Sequence, residues 1–207
     1  MKKITRVVLA SLLAIITLIS LVGCGGLQMQ KKTTFERGKI EGNVYHSKFA
    51  ALTFTKPESW VFNTDEEIAK LLGIGLDAMT DGEKFDASDL ASTIDFQAQD
   101  PTTGSNVNLT VEKLDAVNAL ITSIDQYVDF FRDTLKTQFD GFEPTFGDTT
   151  EVTIGGNVYK RITADVKVGG VSMTQVYLLR KIERYIVCVT CTAVNGTELS
   201  SLEAMLS

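Results

Sequence analysis

The seven residues Tyr185-Ile186-Val187-Cys188-Val189-Thr190-Cys191 constrain this chain more than any other stretch. They form an almost unbroken apolar run, rich in β-branched residues, too short for a buried helix and without a helical period. Such a run is the mark of a strand covered on both faces, which places it at the centre of a sheet. A central strand needs partners on both edges and cover on both sides.

Strand partners are at hand. Ser92 to Gln99 and the alternating Val107-Asn108-Leu109-Thr110-Val111 flank Asp100-Pro101-Thr102-Thr103-Gly104-Ser105, a turn by composition, and so read as a hairpin. Glu151 to Ile154 leads through Gly155-Gly156-Asn157, a turn that needs positive φ, into Tyr159 to Val168. There Ile162, Ala164, Val166 and Val168 share one face, and Arg161, Thr163, Asp165 and Lys167 the other. Gly169-Gly170 turns the chain into Val171 to Leu179. Near the start, Val44-Tyr45 and Ala51 to Thr55 read as two short strands, with His46-Ser47-Lys48 in their connection and Pro57 ending the second.

Cover comes from three helices. Thr64 with Glu67 three residues on is a capping box; Ile68, Leu71 and Leu72 follow as one apolar face, and Gly73 permits a stop. Ser123 with Gln126 opens the longest helix, on which Ile121, Ile124, Val128, Phe131, Leu135 and Phe139 recur at steps of three and four and Gly141 ends the run. Leu199, Leu202, Met205 and Leu206 form a short closing helix, capped by Asn195 or Thr197. The expected fold class is α+β: a meandering antiparallel sheet with helices on both faces, a three-layer α/β/α sandwich.

The chain opens differently. Met1-Lys2-Lys3-Ile4-Thr5-Arg6 is basic, and Val7 to Val22 carries no charge. That is the layout of a secretory signal. The run is shorter than the ~20 residues a membrane span needs and lacks a basic stop-transfer flank. It closes on Leu21-Val22-Gly23-Cys24, which resembles the lipobox of bacterial lipoproteins. The resemblance implies cleavage before Cys24 and acylation of its thiol with chains such as palmitate, two of which give a stable anchor where one does not. The expected organisation is a signal over 1–23, a lipidated Cys24 with a flexible tether over 24–41, and one globular domain over 42–207. Lys31, Lys32, Arg37 and Lys39 in the tether are solvated or brush anionic lipid. The expected place is the extracytoplasmic face of a cell membrane, with the bilayer as partner through Cys24.

Charge narrows the partners. Without the three basic residues of the signal, 17 basic residues remain against 26 acidic ones, a charge near −9. Nucleic acid calls for clustered Lys and Arg, which this chain lacks. Of three cysteines, Cys188 and Cys191 remain after the anchor. Three strand steps of ~3.3 Å put their Cα atoms about 10 Å apart with side chains on opposite faces, beyond a disulfide's reach of roughly 7 Å. Two separate buried thiols are expected.

Tyr45, Phe49-Ala50-Ala51-Leu52-Thr53-Phe54 and Pro57-x-x-Trp60 resemble the start of PsbP-like domains. The Gly155-Gly156-Asn157-x-Tyr159 hairpin and the finish from Arg184-Tyr185-Ile186-Val187 to Thr192 and a terminal amphipathic helix are similar too. The resemblance implies an antiparallel sheet between helices and a non-catalytic role, since members of that fold are mostly accessory or binding proteins, with no catalytic motif to carry over.

Chemistry-bearing patterns are sparse. The single histidine, His46, rules out a multi-His metal site, and no Gly-x-Ser-x-Gly elbow, Ser-x-x-Lys or phosphate loop occurs; Gly73-Ile74-Gly75 lacks the rest of either fingerprint. Asp77, Asp81, Glu83, Asp86 and Asp89 miss EF-hand spacing and read as a solvated loop. No catalytic residue, metal ligand or cofactor is therefore assigned. Tyr45, His46 and Trp60 are the candidate pocket-lining residues. The function expected is a tethered binding or scaffolding module for an unidentified protein or small molecule. The alternative is a hydrolase or ligand-sensing domain whose carboxylate site leaves no motif, favoured by a pocket that holds His46 beside a buried carboxylate.

Overall fold

The computed structural model describes residues 33–73, 91–168 and 170–207. The signal, Cys24 and the acidic stretch 77–89 lie outside the described residues. Eleven strands and four helices are described. Three short strands, β1 (Lys39–Glu41), β2 (Val44–Ser47) and β3 (Leu52–Thr55), make one antiparallel sheet. The other eight form a second: β4 (Val61–Phe62), β5 (Ser92–Gln99), β6 (Asn106–Lys113), β7 (Thr145–Phe146), β8 (Thr150–Ile154), β9 (Asn157–Val168), β10 (Val171–Ile182) and β11 (Tyr185–Val194). Its order is β4-β5-β6-β11-β10-β9-β7, with β8 also on β9. The apolar run is thus central, between β6 and β10, and every residue of β11 is buried. The sheet is not a simple meander, because the last strand inserts beside β6.

The helices are α1 (Asp65–Leu72), α2 (Ala116–Ile121), α3 (Ile124–Gln138) and α4 (Leu199–Glu203). Both expected capping boxes form: Thr64 Oγ1 accepts from the Glu67 amide and Ser123 Oγ from the Gln126 amide, with the N3 side chain reaching back each time. Gly73 ends α1 at φ 69°. The fold is mixed α+β, dominated by antiparallel sheet.

One face of the large sheet packs Phe96, Leu109, Val187 and Leu178 against Tyr45 and Phe54 of the small sheet, Trp60, and Leu202 of α4. The opposite face packs Ile162, Tyr177, Leu179 and Cys188 against Val128, Phe131 and Leu135 of α3. Ile68 and Ala69 of α1 meet Ile94 of β5. The two cysteines fall on opposite faces as expected, both free and buried.

Five further expectations are corrected. First, the domain begins ahead of Gly42: Phe35 is buried, and Lys39 to Glu41 pair with β2, so the residues from Phe35 on belong to the fold and not to the tether. Second, His46 lies within β2 and not in a connection, because the small sheet extends to the Ser47–Leu52 pair. Third, Ile121 belongs to α2, a separate helix capped by Asp115, whose side chain accepts from the amides of Val117 and Asn118. Fourth, neither Asn195 nor Thr197 caps α4. Glu198 occupies the cap without a side-chain bond, while Thr197 Oγ1 accepts from Ser105 Oγ at 2.8 Å. Fifth, Leu206 leaves the helix and bridges Phe54.

The β8–β9 turn is the one sequence reasoning places: Gly155 and Gly156 hold φ 55° and 76° between the paired Ile154 and Asn157. A Cβ on Gly155 would sit 3.0 Å from Ala51 O, so glycine is required there for space as well as for φ.

Candidate functional site

Tyr45, His46 and Trp60 do not form one site. Successive residues of a strand face opposite ways. Tyr45 therefore enters the core, whereas His46 is exposed with Nδ1 3.2 Å from Thr53 Oγ1. Trp60 is core packing. The lipobox residues Leu21, Val22, Gly23 and Cys24 lie outside the described residues.

Tyr45 leads to a cluster that sequence reasoning missed. The β5–β6 register shifts between Ile94 and Phe96, so Asp95 sits in a bulge. A bulge re-aims side chains. Here it sends Ile94 to α1 and Phe96 to the other face. The Asp95 carboxylate is fully buried. It accepts from Tyr45 Oη at 2.5 Å and from the Gly38 amide at 3.0 and 3.1 Å. Arg37 Nη2 donates to the Asp95 carbonyl at 3.2 Å and to Asp65 at 2.9 Å, and Arg37 Nε lies 3.7 Å from the Asp95 carboxylate. Burial pushes the Asp95 carboxyl up to about 6; the Tyr45 and Gly38 hydrogen bonds and the Arg37 charge oppose that rise, and Asp65 adds to it. Burial first, then the Asp95 charge, drives the Tyr45 hydroxyl far above its ordinary range. The Tyr45 hydroxyl thus stays protonated, the Asp95 carboxyl gives up its proton as pH rises through about 6, and partly exposed Arg37 and Asp65 flank the pair. The cluster ties the segment ahead of β1 to the body of the domain.

A second, half-buried acid, Glu112 of β6, accepts from Tyr127 Oη of α3. Burial raises the Glu112 carboxyl above its ordinary value, and that hydrogen bond partly offsets the rise. This pair fixes α3 on the sheet. Cys188 nearby is pushed up to about 12 by burial, so its thiol is inert as a nucleophile at neutral pH.

The arrangement open to a ligand is a cleft of about 410 Å³, within the ~300–1,000 Å³ typical of small-molecule sites. Two ladders build its floor. Thr145 of β7 pairs with Asp165 of β9, and Asp165 with Thr174 of β10, so hydroxyl, carboxylate and hydroxyl form one row. Thr174 Oγ1 donates to Asp165 Oδ1 at 2.5 Å. Lys167 and Ser172 make the next row. Phe142 and Glu143, on the loop after α3, form the wall. Phe142 is 41% exposed, an apolar ring face open to solvent. Glu143 holds φ 47°, a left-handed conformation that a non-glycine residue adopts only under constraint, and such strain gathers at functional sites. The cleft thus offers two carboxylates, one ammonium, three hydroxyls and an aromatic ring. In the sequence, alternation marks the outward face of β9, but nothing marks that Phe142 and Glu143 fold over it.

No family model and no curated protein matches the chain. Among solved structures it is similar to the solution structure of cyanobacterial PsbP (CyanoP) from Synechocystis sp. PCC 6803, at 11% identity and TM-score 0.49, covering 90% of this chain and 98% of that one. It is also similar to a crystal structure from Bacteroides thetaiotaomicron VPI-5482, at 14% identity and TM-score 0.46, covering 81% of this chain and 48% of that one.

Proposed function

We propose that this protein is an extracytoplasmic lipoprotein, held to a membrane through acylated Cys24, whose domain is a non-catalytic binding or scaffolding module. The finer architecture is the PsbP-like α/β/α sandwich. Support for it comes from the Tyr45, Trp60 and Gly155-Gly156-Asn157 motifs and from α3 and α4 packing in separate core clusters. Support for the anchor is the basic start, the short apolar run and Leu21-Val22-Gly23-Cys24. Residues 25–34 span at most ~35 Å when extended, so the domain works close to the membrane surface.

The observation that carries the binding reading is the cleft. Its Thr145–Asp165–Thr174 row, Lys167 and the exposed Phe142 suit a polar ligand or a partner side chain with an apolar face. His46, the one histidine, is remote from the buried carboxylate of Asp95, on the other side of β2. The alternative, a hydrolase or ligand-sensing domain, draws on the two carboxylates Glu143 and Asp165 facing one cleft.

Three measurements test this. Mass spectrometry of the mature N-terminus should find a diacylated Cys24, and Cys24→Ala should leave the precursor unprocessed; an unmodified Cys24 refutes the anchor. A photo-crosslinking residue at position 142 should capture one reproducible partner in cells, whereas the same residue at position 46 should not. Turnover in a hydrolase screen that is lost in both Asp165→Asn and Glu143→Gln would replace the binding reading with the enzymatic one.

A further inference from the structure

The face of the large sheet that carries α3 is not apolar throughout. Over β5, β6, β11 and β10 it presents Gln97, Asn106, Asn108, Thr190, Thr192 and Gln175, all buried. The register places them side by side: Gln97 opposite Asn108, Asn108 opposite Thr190, Asn106 opposite Thr192, and Thr192 opposite Gln175. Part of this network closes on itself. Gln175 Nε2 donates to Thr192 Oγ1 at 3.0 Å, Tyr177 Oη donates to Gln175 Oε1 at 2.6 Å, and Asn106 Nδ2 donates to Gly104 O at 3.2 Å.

Three oxygens are left over. Gln97 Oε1, Asn106 Oδ1 and Asn108 Oδ1 are buried without a hydrogen-bond partner, and their residues are 2%, 1% and 3% exposed. Buried amide oxygens are rarely left unpaired, and three on neighbouring positions of one sheet face call for a donor that the described residues do not supply. Directly opposed residues lie ~5 Å apart and alternate residues of a strand ~7 Å apart. A single sugar ring or short polyol spans that triangle.

We propose that this amide-lined face is a second binding site, distinct from the cleft, for a neutral hydroxyl-bearing small molecule such as a sugar. The unpaired atoms are acceptors, so the ligand must bring donors, which excludes an anion. The six residues carry no charge, so a charged ligand would be buried there without a counter-charge. Glu112, farther along β6, is already taken by Tyr127. Hydroxyl groups donate without that penalty, and Thr190 and the amide nitrogens return hydrogen bonds to their oxygens.

The test uses the detergent-solubilised full chain, titrated with glucose, N-acetylglucosamine or glycerol, and separately with NaCl and KCl. Calorimetry follows binding, and NMR follows the side-chain amide resonances. At least one of the three neutral probes should bind saturably and shift the Gln97, Asn106 and Asn108 amide resonances. Asn108→Leu should weaken that binding about tenfold, and Thr145→Ala in the cleft should leave it unchanged. The NMR readout stands even where the leucine variant fails to fold. The proposal is overturned by no shift at those amides with any neutral probe, by shifts confined to cleft residues, by a response to Na⁺ or K⁺ alone, or by a crystal structure in which the three oxygens hold ordered water only.

Discussion

Asp95→Asn should remove a pH dependence from the stability of this fold. The wild-type carboxyl is buried completely and is pushed up to about 6 from an ordinary 3.8. A folded value above the unfolded one means that the native state holds the proton more tightly. The stabilisation is fully present below about pH 4 and is lost as pH rises through about 6. At roughly 1.4 kcal/mol per pH unit, the loss amounts to about 3 kcal/mol by pH 7.5. Asparagine is neutral throughout and has nothing to lose in that window. It keeps one acceptor for the Gly38 amide but gives up the second, so the variant starts out less stable at pH 4 and gains on the wild type as pH rises. Urea unfolding followed by circular dichroism at half-unit steps from pH 4 to 7.5 measures both curves. The comparison between proteins is what counts, because Glu112 is also raised and Asp100 is lowered. Parallel curves, or a wild type that gains on the variant with rising pH, would refute the assignment of this proton to Asp95.

Other consequences are simpler. Gly38→Ala should destabilise by about 1–3 kcal/mol, because the new Cβ would lie 2.3 Å from the Tyr45 ring; thermal melting should show a fall of several degrees. Ser123→Ala should lose about 1 kcal/mol, read in the same assay, since Ser123 Oγ accepts from the Gln126 amide at 3.2 Å and opens α3. Cys188 and Cys191 should both titrate as free thiols in the unfolded, oxidised chain and react slowly in the native one; a chain with no free sulfhydryl among these two contradicts the buried-strand geometry.

Local chemistry was legible in the order of residues. The central strand followed from the Tyr185–Cys191 run, because an almost unbroken apolar run has no solvent face to offer. Both capping boxes and the Gly155-Gly156 turn followed from short-range hydrogen bonding and φ preference, which depend on residues no more than four apart. The Cys188 and Cys191 geometry followed from the two-residue repeat of a strand. Tertiary structure decided what depends on distant partners. Asp95 looked like one polar residue in an ordinary strand; the bulge that turns it toward Gly38 and Tyr45, 57 and 50 residues away, has no local signature. Arg37 read as a tether charge until Asp65 and Asp95 claimed it. The polar alternation of β6 said which side chains share a face but not that Asn106 and Asn108 are buried on it. Phe142 and Glu143 became the wall of a cleft only because α3 ends beside the β9–β10 ladder. Short-range sterics write themselves into neighbouring residues, whereas desolvation and charge pairing are set by whichever parts of the chain the core brings together.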